Sequence, residues 1–279
     1  MTKTLLSPPY RSILFFRPVK GEGFWIYGVN PVREALRAGL PVEDLLFCRQ
    51  RMREEVTEIL ERCRRKGIEP KKIDRPSLDR LTHNAPHQGI AARLPSFPYR
   101  ELEEVMEREE GVPSFLVLDG IEDPRNLGAI IRTAEACGVW AVVIPERRAA
   151  PITGAVAKAS AGALFHLPVV KVKNLGNAIR RLKGWGIWII GASADAPTPL
   201  YDGDLTVPLA IVIGGEGRGI RPLVKRECDM LLSIPMRGKV NSLNASVAAS
   251  VILYEMIRQR SSSPVDDHPH LIDKRNGWK

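Results

Sequence analysis

From residue 114 onward the chain alternates between two textures. The runs SFLVLDG, WAVVIP, FHLPVVKV, IWIIGAS, LAIVIGG and MLLSIP are almost unbroken apolar stretches, the mark of strands buried on both faces of a parallel sheet. Segments of helical character separate most of them: PRNLGAIIRTAEACG, TGAVAKASAGA, NLGNAIRRLKG, RPLVKRECD and SLNASVAASVILYEMIRQR. The alternation predicts a helix-flanked α/β sheet. In the last helix Val247, Val251, Ile252 and Tyr254 follow an i, i+4, i+7 spacing. Its opening, NSLNASVAAS, is small and polar where a packing helix would carry larger side chains.

A smaller alternating pattern precedes it. FWIYG reads as a strand, and NPVREALRAG as a helix with Asn30 at the N-cap, Pro31 at N1 and Gly39 past the last turn. DLLFCR, the charged helix MREEVTEILERCRRKG, PKKID, SLDRLT and GIAARL complete a module. The expected organisation is a basic tail over 1–22, a small α/β domain over 23–95, a linker over 96–113 with a short exposed helix, the large domain over 114–260, and a disordered tail over 261–279.

Charge adds a partner class. Net charge is +9, and residues 1–95 carry 18 Lys and Arg against 11 Asp and Glu. A basic N-terminal region fits a polyanion such as nucleic acid, although basic solvated faces are common. No apolar run reaches the roughly 20 residues of a membrane helix. The proline-broken N-terminus is a poor signal peptide. Cys48, Cys63, Cys137 and Cys228 are scattered, so reduced thiols in a cytoplasmic protein are expected, with no metal site.

Three loops sit where α/β sheets gather ligands, beyond strand carboxyl ends. In LDGIEDPRNLGAIIRTAEACG, Asp123 and Pro124 open a helix whose core stripe is Leu127, Ile130, Ile131 and Ala134. Arg132 falls off that stripe, with Gly128 four residues before it, leaving room for a phosphate or ribose; a surface pair with Glu135 is the bland alternative. IVIGGEGRGI places four glycines in six residues after a strand. A dinucleotide site is disfavoured because the loop follows the fifth strand and holds Glu216, which leaves a tight turn or close ligand approach. IPMRGKVNSLNASVAAS supplies side-chain amides and hydroxyls at a helix start, where simple capping is the alternative.

Together the three segments resemble the signature motifs of the SpoU/TrmH class of the SPOUT superfamily, S-adenosylmethionine-dependent RNA ribose 2′-O-methyltransferases. NLGAIIRTAE carries Asn126 and Arg132, IGGEGRG carries Gly214 and Glu216, and IPM with SLNASVAA carries Ile234, Met236, Ser242, Leu243 and Asn244. IYGVNPVREALRAG and LTHNAPHQGIAA are similar to the ends of that class's ribosomal-protein-like substrate-binding domain. The nearest likeness is to the bacterial 23S rRNA guanosine-2′-O-methyltransferase subgroup, and it runs from Phe24 to Arg260.

The resemblance implies a deep trefoil knot in the C-terminal domain, a cofactor held by Gly214, Ile234, Met236 and Leu243, and a homodimer that completes the site. It implies a catalytic set of Arg132, Asn126, Glu216, Ser242 and Asn244, and structured RNA, 23S rRNA first, as partner. Because a guanidinium is a poor proton acceptor, Arg132 is expected to hold the target phosphate and steady the developing alkoxide. A tRNA substrate, or a non-catalytic RNA-binding assembly role, stays open at this point.

Overall fold

The computed structural model describes residues 23–48, 54–107 and 111–262. Both terminal tails expected from the sequence lie outside them, except that the last helix runs on to Ser262. The first layer contains β1 (Phe24–Tyr27), α1 (Val29–Arg37), β2 (Asp44–Phe47), α2 (Glu54–Arg65), β3 (Lys71–Lys72), α3 (Arg75–Leu81) and β4 (Ile90–Leu94). Its sheet runs β1-β4-β2-β3, with β4 antiparallel to both neighbours. Asn30 does not cap α1. The helix starts at Val29, two residues before the expected Pro31, after Gly28, whose φ of 92° suits glycine. The side chain of Gln88 supplies the cap, since its Oε1 accepts from Val29 N at 3.1 Å.

The connecting stretch is not a free linker. Arg100 N donates to Val169 O at 2.9 Å, pairing the stretch with the edge of the second sheet. Its short helix α4 (Leu102–Met106) buries Leu102 and Val105 instead of lying exposed. A bare strand edge invites mispairing, and this segment covers one.

The second layer follows as β5 (Ser114–Asp119), α5 (Pro124–Ala136), β6 (Ala141–Pro145), α6 (Gly154–Ala159), β7 (Val169–Val172), α7 (Leu175–Gly184), β8 (Trp188–Ala192), β9 (Thr198–Pro199), β10 (Leu209–Gly214), α8 (Pro222–Lys225), β11 (Met230–Ser233) and α9 (Ala245–Ser262). Every pairing is parallel, in the order β7-β6-β5-β10-β8-β11-β9. The six sequence-read strands are all present, and β9 is an addition. Alternation splits each strand between two cores. Leu116 and Leu118 face the core of α5 and α9, while Phe115 and Val117 face that of α4 and α7.

The first of those cores continues without a break into the N-terminal layer, joining Ile26, Val32 and Leu36 to Ile130, Val156 and Phe165. Around it, Lys158 Nζ donates to Gln88 Oε1 at 2.7 Å and His166 Nε2 meets Glu34 Oε2 at 2.9 Å. The two layers are therefore fixed to each other by apolar packing with a polar rim.

Candidate functional site

The crossovers place the site. From β5 the chain leaves toward β6, and from β10 it leaves toward β11 on the other side, so a crevice opens between the two carboxyl ends. A cavity of about 400 Å³ lies there, lined by residues of the β5–α5, β6–α6 and β10–α8 loops. Its floor is Asp119, with a fully buried side chain. Oδ1 accepts from Arg221 Nε at 2.6 Å and Oδ2 from Arg221 N at 2.8 Å. This bidentate, charge-assisted pair ties both ends of the glycine loop to β5, because Gly215 N also donates to Asp119 O at 2.8 Å.

The glycines in that loop serve the turn itself. A Cβ on Gly214 would stand 2.0 Å from Gly219 C, and one on Gly215 would stand 2.1 Å from Gly120 O. The space beside Gly214 is filled by its own loop, so any part it plays toward a cofactor is through backbone groups. Folding the loop this tightly brings Glu216 over the start of α5.

Here three sequence-read residues converge from segments far apart in the chain. Glu216 Oε1 accepts from Asn126 Nδ2 at 3.0 Å and from Asn244 Nδ2 at 2.5 Å, while Asn126 Oδ1 accepts from Asn244 Nδ2 at 3.0 Å. Both helices that meet here are capped as the sequence reading requires. Asp123 Oδ1 accepts from Arg125 N at 2.7 Å, with Pro124 at N1. Asn244 Oδ1 accepts from Ser246 N at 2.9 Å and Ser246 Oγ at 2.6 Å. Asn244 thus caps α9 with its oxygen and holds Glu216 with its nitrogen.

Other expected residues stand apart. Leu127, Ile130, Ile131 and Ala134 are buried, as read, and Arg132 projects from the far side of that stripe. It makes no hydrogen bond or ion pair among the described residues, so the pairing with Glu135 does not form. The room supposed beside Gly128 is occupied, since a Cβ there would lie 2.4 Å from Ala159 Cβ on α6. At 100° per residue, Arg132 is turned about 240° around α5 from Asn126, and it does not line the cavity. Ser242 is exposed, with no side-chain bond among the described residues.

Ile234, Met236 and Leu243 lie in the irregular stretch between β11 and α9, outside the cavity lining. Met236 and Leu243 are 39% and 36% exposed. No backbone-to-backbone bond holds residues 235–243 among the described residues. Apolar faces beside free amide and carbonyl groups fit an adenine ring and its edges, so the donor set suits a nucleoside cofactor. On α9 the sequence-read spacing marks the outward face. Val247 and Tyr254 are 46% and 58% exposed, while Ala245, Ala249, Leu253 and Met256 are buried; of the read pattern, Ile252 is buried and Val251 is half-buried against the same core. Ser250 Oγ and Thr133 Oγ1, 3.1 Å apart, stitch α9 to α5.

Sequence reasoning missed Asp119, Arg221 and Arg148. An Asp closing an apolar strand and an Arg just past the glycine loop were the available signals. Arg148, in the pair that follows PE at the end of β6, gave only its place beyond a strand end. The cysteines stay free, and burial pushes the thiols of Cys137 and Cys228 up to about 11. Among the described residues no His, Cys, Asp and Glu cluster is placed to hold a metal, and no helix is long and apolar enough to cross a membrane.

This arrangement has close counterparts. The family model for the SpoU rRNA methylase family matches residues 113–254, and that for RNA 2′-O ribose methyltransferase substrate binding matches residues 25–100. The chain is 43% identical over 242 residues to a putative TrmH family tRNA/rRNA methyltransferase of Staphylococcus haemolyticus, covering 86% of this chain and 97% of that one. It is 40% identical over 240 residues to the putative TrmH family tRNA/rRNA methyltransferase YacO of Bacillus subtilis, covering 85% and 96%. The SpoU methyltransferase AviRb from Streptomyces viridochromogenes, crystallised with the cofactor AdoMet, matches with a TM-score of 0.73 at 32% identity, over 86% of this chain and 91% of that one. With both modules present in order and the three signature loops meeting at one crevice, the chain belongs to the SpoU methylase family of RNA methyltransferases.

Proposed function

We propose that this chain passes the methyl group of S-adenosylmethionine to the ribose 2′-hydroxyl of a guanosine in the peptidyl-transferase region of 23S rRNA. RNA 2′-O-ribose methylation is the activity of its family; the rRNA, the guanosine and the residue roles are the finer reading. One observation carries it. Asn126, Glu216 and Asn244 lock three loops together at the crevice mouth, and the exposed Arg132 is left without a partner among the described residues.

The cofactor, when bound, supplies a methyl on a sulfonium that leaves readily, so the protein's work is alignment and charge placement. Gly214, Ile234, Met236 and Leu243 hold it, through backbone groups and apolar faces. Glu216 and Asn244 set the loop that Asn126 shares, and Asn126 orients the ribose. Ser242 contacts the substrate. Arg132 binds the target phosphate and steadies the alkoxide as the hydroxyl proton passes to water.

Arg132 is exposed and does not line the cavity of its own chain, and its neighbour Thr133 meets Ser250 of α9, the helix that carries the uncovered Val247–Tyr254 stripe. A second copy packed on that stripe therefore brings its Arg132 to the first copy's site, and the knotted path of the C-terminal segment holds both helices for this contact. Mixed dimers test it. Neither Arg132→Ala nor Glu216→Ala homodimers turn over, but a dimer holding one of each regains about half the wild-type rate. A silent mixed dimer overturns the shared site.

The N-terminal layer, residues 23–95, reads the RNA through exposed cations such as Arg64, Arg65, Lys66 and Lys72. Removing that layer would strip the continuous core, so charge reversal is the sound probe. Arg64→Glu with Arg65→Glu should weaken 23S rRNA binding and flatten its salt dependence by about two ions. An unchanged slope counts against that face. Ribose-methylation mapping of total RNA with and without the gene decides the substrate, and a methyl missing from a tRNA would replace the rRNA assignment.

A further inference from the structure

The cavity between β5 and β10 carries charge that the proposed mechanism leaves unused. Asp119 is taken by Arg221, Asp123 by the cap of α5, and Glu216 by two asparagines. Three lining side chains remain without a hydrogen bond or ion pair among the described residues, namely Glu122, Arg148 and Arg218. All three are exposed and line the cavity, one carboxylate against two guanidiniums.

Two of them are held on one rim. Ala150 N donates to Ile121 O at 2.8 Å, which ties the β6–α6 loop to the β5–α5 loop one residue from Glu122 and two from Arg148. Arg148 has a φ of 62°, a left-handed backbone that a non-glycine residue adopts only at a cost. That cost is maintained in a residue whose side chain has no partner among the described residues, at the mouth of a cavity of about 400 Å³, large enough for one nucleoside.

We infer that this cavity is the base pocket for the target nucleotide, and that Glu122 with Arg148 selects guanine. The inference rests on the methyltransferase reading above. Guanine places two adjacent donors, N1–H and the N2 amino group, on one edge and two adjacent acceptors, O6 and N7, on another. A carboxylate accepts from the first pair, and a guanidinium donates to the second as a bidentate fork. Adenine would turn its N1 lone pair toward Glu122, and the pyrimidines offer no matching acceptor pair to Arg148. Arg218, between Gly217 and Gly219 in the glycine loop, is left for the backbone phosphate on the other side of the nucleotide from the one that Arg132 binds.

The test pairs protein changes with single-atom changes in the RNA. The full chain, its Glu122→Ala variant and its Arg148→Ala variant are given S-adenosylmethionine and the mapped rRNA fragment. The fragment carries guanosine, inosine or 7-deazaguanosine at the methylated position. Wild type should lose about tenfold in kcat/KM on inosine, which lacks the N2 amino group, and about tenfold on 7-deazaguanosine, which lacks N7. Glu122→Ala should lose about tenfold on guanosine and nothing further on inosine. Arg148→Ala should behave in the same way toward 7-deazaguanosine. Variant and analogue losses that simply multiply overturn the assignment, as does a mapped target that is not guanosine. In both cases wild-type 2′-O-methylation still stands, whereas a wild type that methylates no RNA removes the underlying reading instead.

Discussion

The seam between the two layers and the stretch between β11 and α9 are opposite solutions to the same problem of joining elements. At the seam, a Cβ on Gly154 would sit 2.2 Å from Trp25 O and one on Gly162 would sit 2.6 Å from Glu34 Cβ. Backbone packs closely there, with the Lys158–Gln88 and His166–Glu34 hydrogen bonds around the rim. Between β11 and α9 the chain runs for nine residues, 235–243, without a backbone-to-backbone bond among the described residues, and Val240, Met236 and Leu243 are exposed. The seam is complete in a single chain. The other stretch leaves its amide and carbonyl groups to solvent or to a ligand. The N-terminal layer is thus held rigidly to the sheet that carries the site, while the groups proposed to meet cofactor, RNA and a second copy lie on open surface.

This contrast can be broken in several ways. The largest effect is expected at Arg132, whose side chain has no hydrogen bond or ion pair among the described residues. Arg132→Ala should lower kcat by about a thousandfold, while calorimetric affinity for S-adenosylmethionine and the melting temperature stay at wild-type values. A fall in stability of similar weight would mean that the open region is structural after all. Gly154→Val does the reverse. It forces the layers apart against a carbonyl and should cost about 3 kcal/mol in denaturant unfolding, and a variant of full stability would show the seam to be loose.

A smaller loss is expected at the junction between closed and open regions. Asn244→Ala removes the α9 cap and the two hydrogen bonds that its amide donates to Asn126 and Glu216, and should cost roughly 1–2 kcal/mol. Asn244→Asp keeps the cap but sets a carboxylate against Glu216, so it should recover stability without recovering turnover. Equal recovery of both would reduce Asn244 to a cap. The smallest effect on stability belongs to the outward stripe. Val247→Lys with Tyr254→Lys should change unfolding by less than about 0.5 kcal/mol and still shift the protein to a monomer in sedimentation. An unchanged dimer would place the partner elsewhere.

The strand runs were legible because burial on both faces leaves an unbroken apolar signal, and β5, β6, β8 and β10 stand where those runs predict. The capping of α5 was legible too, since Asp-Pro acts within one turn. Capping by Gln88 was not, because its amide comes from 59 residues away. On α9 the read spacing caught the outward face. The helix is apolar on two sides, and periodicity alone does not tell which side meets the core.

By itself the sequence determined the local chemistry: which segments are strands and helices, where α5 begins, and the residue types at the three loops. Those are set by spacing and neighbours within a few positions. The tertiary structure alone decided which of those residues meet. It joined Asn126, Glu216 and Asn244, left Arg132 facing outward, filled the space beside Gly128 with α6, and gathered Glu122 and Arg148 on one rim. The reason is that strand order in the sheet departs from order in the chain, so contacts across 90 or 118 residues have no local signal to announce them.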